Sequence, residues 1–103
     1  MGLCGEEIGE EVKAPSRIKI KNKVVYERVS VDSFADPDTL GECRFDQRQI
    51  AIKDGQSERQ EMKTFIHELL HAVCEERGIK ISHRAIYQLE DALFYLLFHN
   101  DWK

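Results

Sequence analysis

With 103 residues the chain has room for one domain, and the hydrophobic share of 42% can supply its core. The net charge of -4, with acidic and basic residues mixed along the chain, argues against a broad nucleic-acid-binding surface, which needs concentrated Lys and Arg. No stretch approaches the roughly 20 apolar residues that span a bilayer, so no membrane contact is expected.

Cys4, Cys43 and Cys74 are odd in number and widely spaced, which points to neither a disulfide framework nor a cysteine zinc site. Residues 1 to 7 lack a cationic region followed by a long apolar one, so no signal peptide is read, and a cytoplasmic location is the expectation.

In chain order, residues 1 to 16 are rich in Gly and Glu and read as a flexible N-terminal arm, ahead of a single domain over 17 to 103. Residues 18 to 31 alternate, with Ile18, Ile20, Val25, Val29 and Val31 interrupted near Asn22-Lys23, which predicts a bent strand or a hairpin. The basic run Arg17 to Lys23 alternates with apolar residues and reads as the solvent face of that strand. Asp36-Pro37-Asp38 marks a loop. Cys43 to Lys53 is strand-like, with a bend at Arg48-Gln49 and a stop at Asp54-Gly55.

From Glu58 the period becomes helical. Met62, Phe65, Ile66, Leu69, Leu70 and Val73 form one apolar arc, Ser57 is the expected cap and Gly78 the expected stop. Ile79 to Ile81 cross to a second helix, capped by Ser82 and running to about His99. The expected fold is α+β, a small antiparallel sheet followed by two packed helices. Tyr26, Tyr87 and Tyr95 are assigned to the core, and Trp102 to packing of the last turn.

The chemistry concentrates at His67-Glu68-Leu69-Leu70-His71. Histidines four apart on a helix stand one turn above each other, so both imidazoles reach one ion. Zinc takes such nitrogen ligands and needs a third from the protein, leaving a position for water. Glu68, beside the first histidine, stands where it acts on that water rather than on the ion.

The third ligand is expected from the second helix, and Glu90 is the first choice. It falls among Ile86, Leu93, Phe94 and Leu97 on the apolar arc, where an unpaired carboxylate is too costly to keep. Asp91, at the edge of that arc, and His83, two turns nearer the Gly78 corner, are the alternatives. His83 is also a candidate for a hydrogen-bonding or substrate-facing group at the site. Cys74, one turn beyond His71, is assigned to packing.

The run Thr64-Phe65-Ile66-His67-Glu68-Leu69-Leu70-His71-Ala72-Val73 resembles the active-site helix of zincin metallopeptidases, in particular small phage-type and minimal gluzincin-like proteins. The resemblance extends through Gly41-Glu42-Cys43 and Gln49-Ile50-Ala51-Ile52 upstream and Leu93 to Asn100 downstream, most of residues 18 to 102. It implies a zincin-like minimal metallopeptidase core, with Zn2+ on His67, His71 and Glu90 and Glu68 as general base. Thermolysin-like enzymes place an aspartate four residues after the ligand glutamate, where this chain has Phe94.

The expected function is zinc-dependent hydrolysis of a peptide or protein substrate, with the strand ending near Lys53 pairing with the extended peptide. Loops 33 to 42 and 53 to 58 are expected to select it. One alternative is a non-catalytic structural or regulatory protein that keeps the zinc site. Another is a metal-free interaction module in which the histidines are incidental.

Overall fold

The alternation over residues 17 to 31 resolves into a hairpin. β1 (Arg17–Lys21) and β2 (Val24–Val31) are antiparallel and turn at Asn22-Lys23, where Lys23 takes a positive φ of 66°. After the Asp36–Thr39 turn come β3 (Gly41–Arg44) and β4 (Gln49–Lys53), joined by a turn that closes with Arg48 at φ 53°. These are followed by α1 (Glu58–Arg77) and α2 (His83–Phe98). The computed structural model describes residues 15–100; residues 1–14 of the expected arm, with Cys4, and Trp102 lie outside the described residues.

The α+β layout holds, but the sheet is mixed. Its strand order is β1-β2-β4-β3, and β2 pairs with β4 in parallel, from Glu27 beside Gln49 to Val31 beside Lys53. The crossover after β2 carries β3 to the far edge, and the second hairpin then brings β4 back into the middle. The sequence of β4 suits a central position, since Ile50, Ala51 and Ile52 are all fully buried, a continuous apolar run rather than an alternating one. With β2 on one side and β3 on the other, β4 has no free edge for a peptide. The strand ending at Lys53 is therefore not the rim of a cleft, and among the described residues β3 holds the free edge on that side.

α1 lies across one face of the sheet. Phe65 and Ala72, with Met62, Leu69 and Val73 beside them, pack onto Ile20, Val24, Tyr26, Ile50 and Ile52. Both helix ends are built as the sequence predicts. The Ser57 side chain accepts from the Gln60 N–H at 3.1 Å. At the far end Gly78 has φ 68°, and the Ile79 N–H reaches back to the Cys74 carbonyl at 2.9 Å.

Tyr26 is fully buried, as expected, and its hydroxyl donates to Glu76 at 2.8 Å, tying the sheet to the last turn of α1. Ser82 caps α2 by accepting from the Ala85 N–H at 3.1 Å. α2 then docks on α1 through Ile86 and Phe94, with the Arg59 guanidinium over the Phe94 ring at 5.0 Å and a Lys63–Asp91 ion pair at 3.0 Å. Tyr87 and Tyr95, assigned to the core from sequence, are exposed, as are Leu89, Leu96 and Leu97. The apolar arc of α2 is wider than the single groove it meets on α1. No helix among the described residues is long and apolar enough to cross a membrane.

Candidate metal centre

His67 and His71 project from the middle of α1 towards α2, beside the stripe that faces the sheet. Their Nε2 atoms stand 3.2 Å apart, one helical turn doing what the spacing predicts. His83 completes the group from the first turn of α2, its Nε2 3.2 Å from that of His67. One donor atom from each of the three residues lies within 4.8 Å of the others, so the triad can hold a metal ion. Three nitrogens bound at ~2.0–2.1 Å around a tetrahedral ion would lie roughly 3.3–3.4 Å apart, so the two 3.2 Å separations suit that geometry.

Glu90 lines the same cleft but is not one of the three clustered donors. Its Oε1 faces the other ring nitrogen of His67, Nδ1, at 2.9 Å, and the geometry assembles His83 rather than Glu90 with the two motif histidines. The reason lies in the connector. A helix that returns from Ser82 at ~1.5 Å per residue, and needs as long a run as α1 makes past His71, comes level with the histidines only near residues 88 to 91. Ile79 to Ser82 are non-helical, Ser82 with an extended backbone, and since extended chain covers up to ~3.3–3.6 Å per residue the connector itself makes part of that return. The first turn of α2 is therefore already level with His67. Seven residues on, Glu90 lies two turns along the same face. Asp91 is turned away, exposed and paired with Lys63.

An open cleft of about 410 Å³ is lined by these groups, with Glu68, Thr64 and Gln60 on α1 and Asp38 to Gly41 on its other wall. Within the two expected loops, residues 38 to 41 line it and none from 53 to 58 does. Gln56 instead acts as a strut: its amide donates to the carbonyls of Leu40 (3.2 Å) and Lys53 (2.9 Å), and its oxygen accepts from the Thr64 hydroxyl at 2.9 Å. Gly41 starts β3 hard against α1. A Cβ built there would stand 2.5 Å from Thr64 Cγ2 and 3.2 Å from Glu68 Cγ, so only glycine lets the strand approach this closely.

Burial raises the Glu68 carboxyl above its ordinary value of 4.5, helped by Glu42 and Glu90 and opposed by His67. Burial, then His67 and His83, lowers His71 below 6.5 and favours a neutral imidazole with a lone pair to give. The Cys43 thiol is pushed up to about 12, chiefly by burial and then by Glu68, Glu75 and Glu76, which keeps it protonated. Cys74 is half-buried and outside the triad.

Tyr87, like Tyr95, is assigned to the core from sequence and is exposed. It lines the cleft with its ring 4.8 Å from that of His67 and 5.0 Å from that of His83. The signal was its position four residues after His83, one turn on along the same face. The place of Gly41 had no local signal, because the close approach exists only once strand and helix are packed.

Residues 21–95 match the family model described as the IrrE N-terminal-like domain, Peptidase M78. Comparison with curated proteins and with solved structures found no match.

Proposed function

The chain belongs to the Peptidase M78 family of IrrE N-terminal-like domains, and from that premise we propose that it is a zinc-dependent peptidase whose ion is held by His67, His71 and His83, with Glu68 as general base. One observation carries the reading: three Nε2 atoms converge on a cleft that also contains a half-buried carboxylate from the residue after the first histidine. A divalent ion bound there supplies Lewis acidity, lowering the pKa of water and polarising a carbonyl. Glu68 takes the proton of the attacking water and delivers it to the leaving amine, the same carboxyl serving as base and then as acid. Its raised pKa makes the carboxylate a stronger base towards that water.

The substrate would lie extended along the free edge of β3, its main chain adding a strand to the sheet. Gly41 and the Gln56–Thr64 contact hold that edge close above Glu68. Asp38 to Leu40 form the wall of the cleft beside the start of β3.

The test joins metal analysis to turnover. Elemental mass spectrometry of the reconstituted protein is expected to give one zinc per chain, lost in His67→Ala, His71→Ala and His83→Ala. Glu68→Gln is expected to keep the zinc and lose roughly 10²–10⁴-fold in cleavage of a peptide library. Undiminished cleavage by the Gln variant would remove Glu68 from the mechanism. Stoichiometric zinc with no cleavage by the wild type would favour a structural or regulatory use of the site.

A further inference from the structure

Glu90 is the cleft carboxylate to which the proposed mechanism gives no task. It and His67 are nearly enclosed, each side chain only 12% exposed, and 2.9 Å separates Glu90 Oε1 from His67 Nδ1. An ionised carboxylate only accepts hydrogen bonds, so the ring nitrogen that faces it must carry the hydrogen. A neutral imidazole has one N–H. With that hydrogen on Nδ1, Nε2 presents a bare lone pair, and Nε2 is the atom that stands 3.2 Å from the Nε2 atoms of both His71 and His83. A free neutral histidine in water favours the opposite tautomer, which would aim an N–H at the ion.

We propose that Glu90 is a positioning residue: it holds His67 in the Nδ1–H tautomer and fixes its ring so that the Nε2 lone pair points at the metal, and it does not itself bind the metal. The metal half of this statement rests on the three-histidine reading above; the tautomer half does not. Low exposure strengthens the hydrogen bond, because little water competes for either partner. The carboxylate also makes the ring a better donor to a cation, the usual effect of such a partner on a ligating histidine. One face of α2 would thus contribute twice, His83 supplying a ligand and Glu90, two turns on, orienting a ligand of the other helix.

Two variants separate the possibilities. Glu90→Gln keeps the shape and an oxygen that accepts from Nδ1–H, whereas Glu90→Leu fills much the same volume with no acceptor. Nitrogen-15 NMR of the imidazoles is read first, on chelated protein at a pH where the histidines are neutral. His67 is expected as the Nδ1–H tautomer in wild type and Gln variant, and as Nε2–H or a mixture in the Leu variant. Zinc affinity by chelator competition is then expected to fall ~10–100-fold in the Leu variant and less in the Gln variant. The visible spectrum of bound Co2+ should stay that of the wild type in Gln and be lost in His83→Ala.

Retention of Nδ1–H in the Leu variant would overturn the proposal. So would loss of metal from the Gln variant as complete as that from His71→Ala, which would make Glu90 a ligand. A wild type that binds no zinc would defeat the functional reading while leaving the tautomer result fully readable.

Discussion

Glu68 projects from the middle of α1 beneath β3, where the Gly41 backbone closes over its Cγ and burial raises its pKa above 4.5. In the unfolded chain the same carboxyl titrates near its ordinary value. A raised folded pKa means that the folded state binds the proton more tightly, so the group's contribution to stability is full below pH 4.5 and is lost as pH rises through the folded pKa. Above pH 4.5 the cost of ionising this carboxyl in the folded state works against folding. Removing its charge should relieve that. In chelated protein, Glu68→Gln is expected to melt above the wild type at pH 7, with the gap closing as pH falls towards 4.5. Paired melting curves across that window check it, and a gap independent of pH would mean that the charge is not what costs stability. The proposed base would then be a residue whose placement trades stability for function, as strained or ill-solvated groups at active sites commonly do.

Between elements, the decisive feature is how near β3 comes to α1. Gly41→Ala puts a methyl group 2.5 Å from Thr64 Cγ2, a contact that must be relieved by moving strand or helix. The expected cost is about 1–3 kcal/mol by denaturant unfolding, the usual range for overpacking. Because the obstructing atom is one methyl group, Thr64→Ser in the same chain should restore part of it, giving a coupling of roughly 0.5–3 kcal/mol in a double-mutant cycle. Additive effects would show that the close approach does not set the cost. Thr64 Oγ1, which contacts Gln56 and Gln60, has a counterpart in serine, so the cycle leaves the polar contacts available.

This is also the scale at which the sequence stops being readable. Ser57, Gly78 and Ser82 were legible because a cap is local chemistry, decided within a few residues. The pair His67 and His71 was legible for the same reason, since one helical turn fixes their spacing. The partner of β2 was not, because β4 reaches it only after a crossover and a second hairpin. The third member of the histidine cluster, His83, was legible only as an alternative to Glu90, for a related reason. Glu90 does lie on the inward face of α2, as its place among apolar residues implied, and it does reach His67. Which residue of that face comes level with both motif histidines depends on the stagger of two helices, and with the non-helical connector at 79–82 that residue is His83.

For the whole molecule the same stagger has a mechanical consequence. The sheet is held to α1 by a continuous core and by Glu76, whose side chain accepts from Tyr26 while its main-chain oxygen accepts from Lys21 at 2.7 Å. α2 touches only α1 among the described elements and buries just Ile86 and Phe94 deeply. A metal ion on His67, His71 and His83 would therefore link the less anchored helix to the one that is fixed. Metal present at 100 times its dissociation constant would stabilise the folded state by about 2.7 kcal/mol, and that gain would be removed by a chelator. The loss should not be uniform, because local opening follows the contacts that remain. Hydrogen exchange with and without chelator is expected to quicken most along His83–Phe98, less in α1, and least in β2 and β4. His83→Ala should reproduce the chelated pattern without chelator, since the ion is expected to be lost from that variant. Equal acceleration in the central strands would show instead that the molecule opens as one unit, and the metal would then be a general ligand of the fold rather than a clip between its two helices.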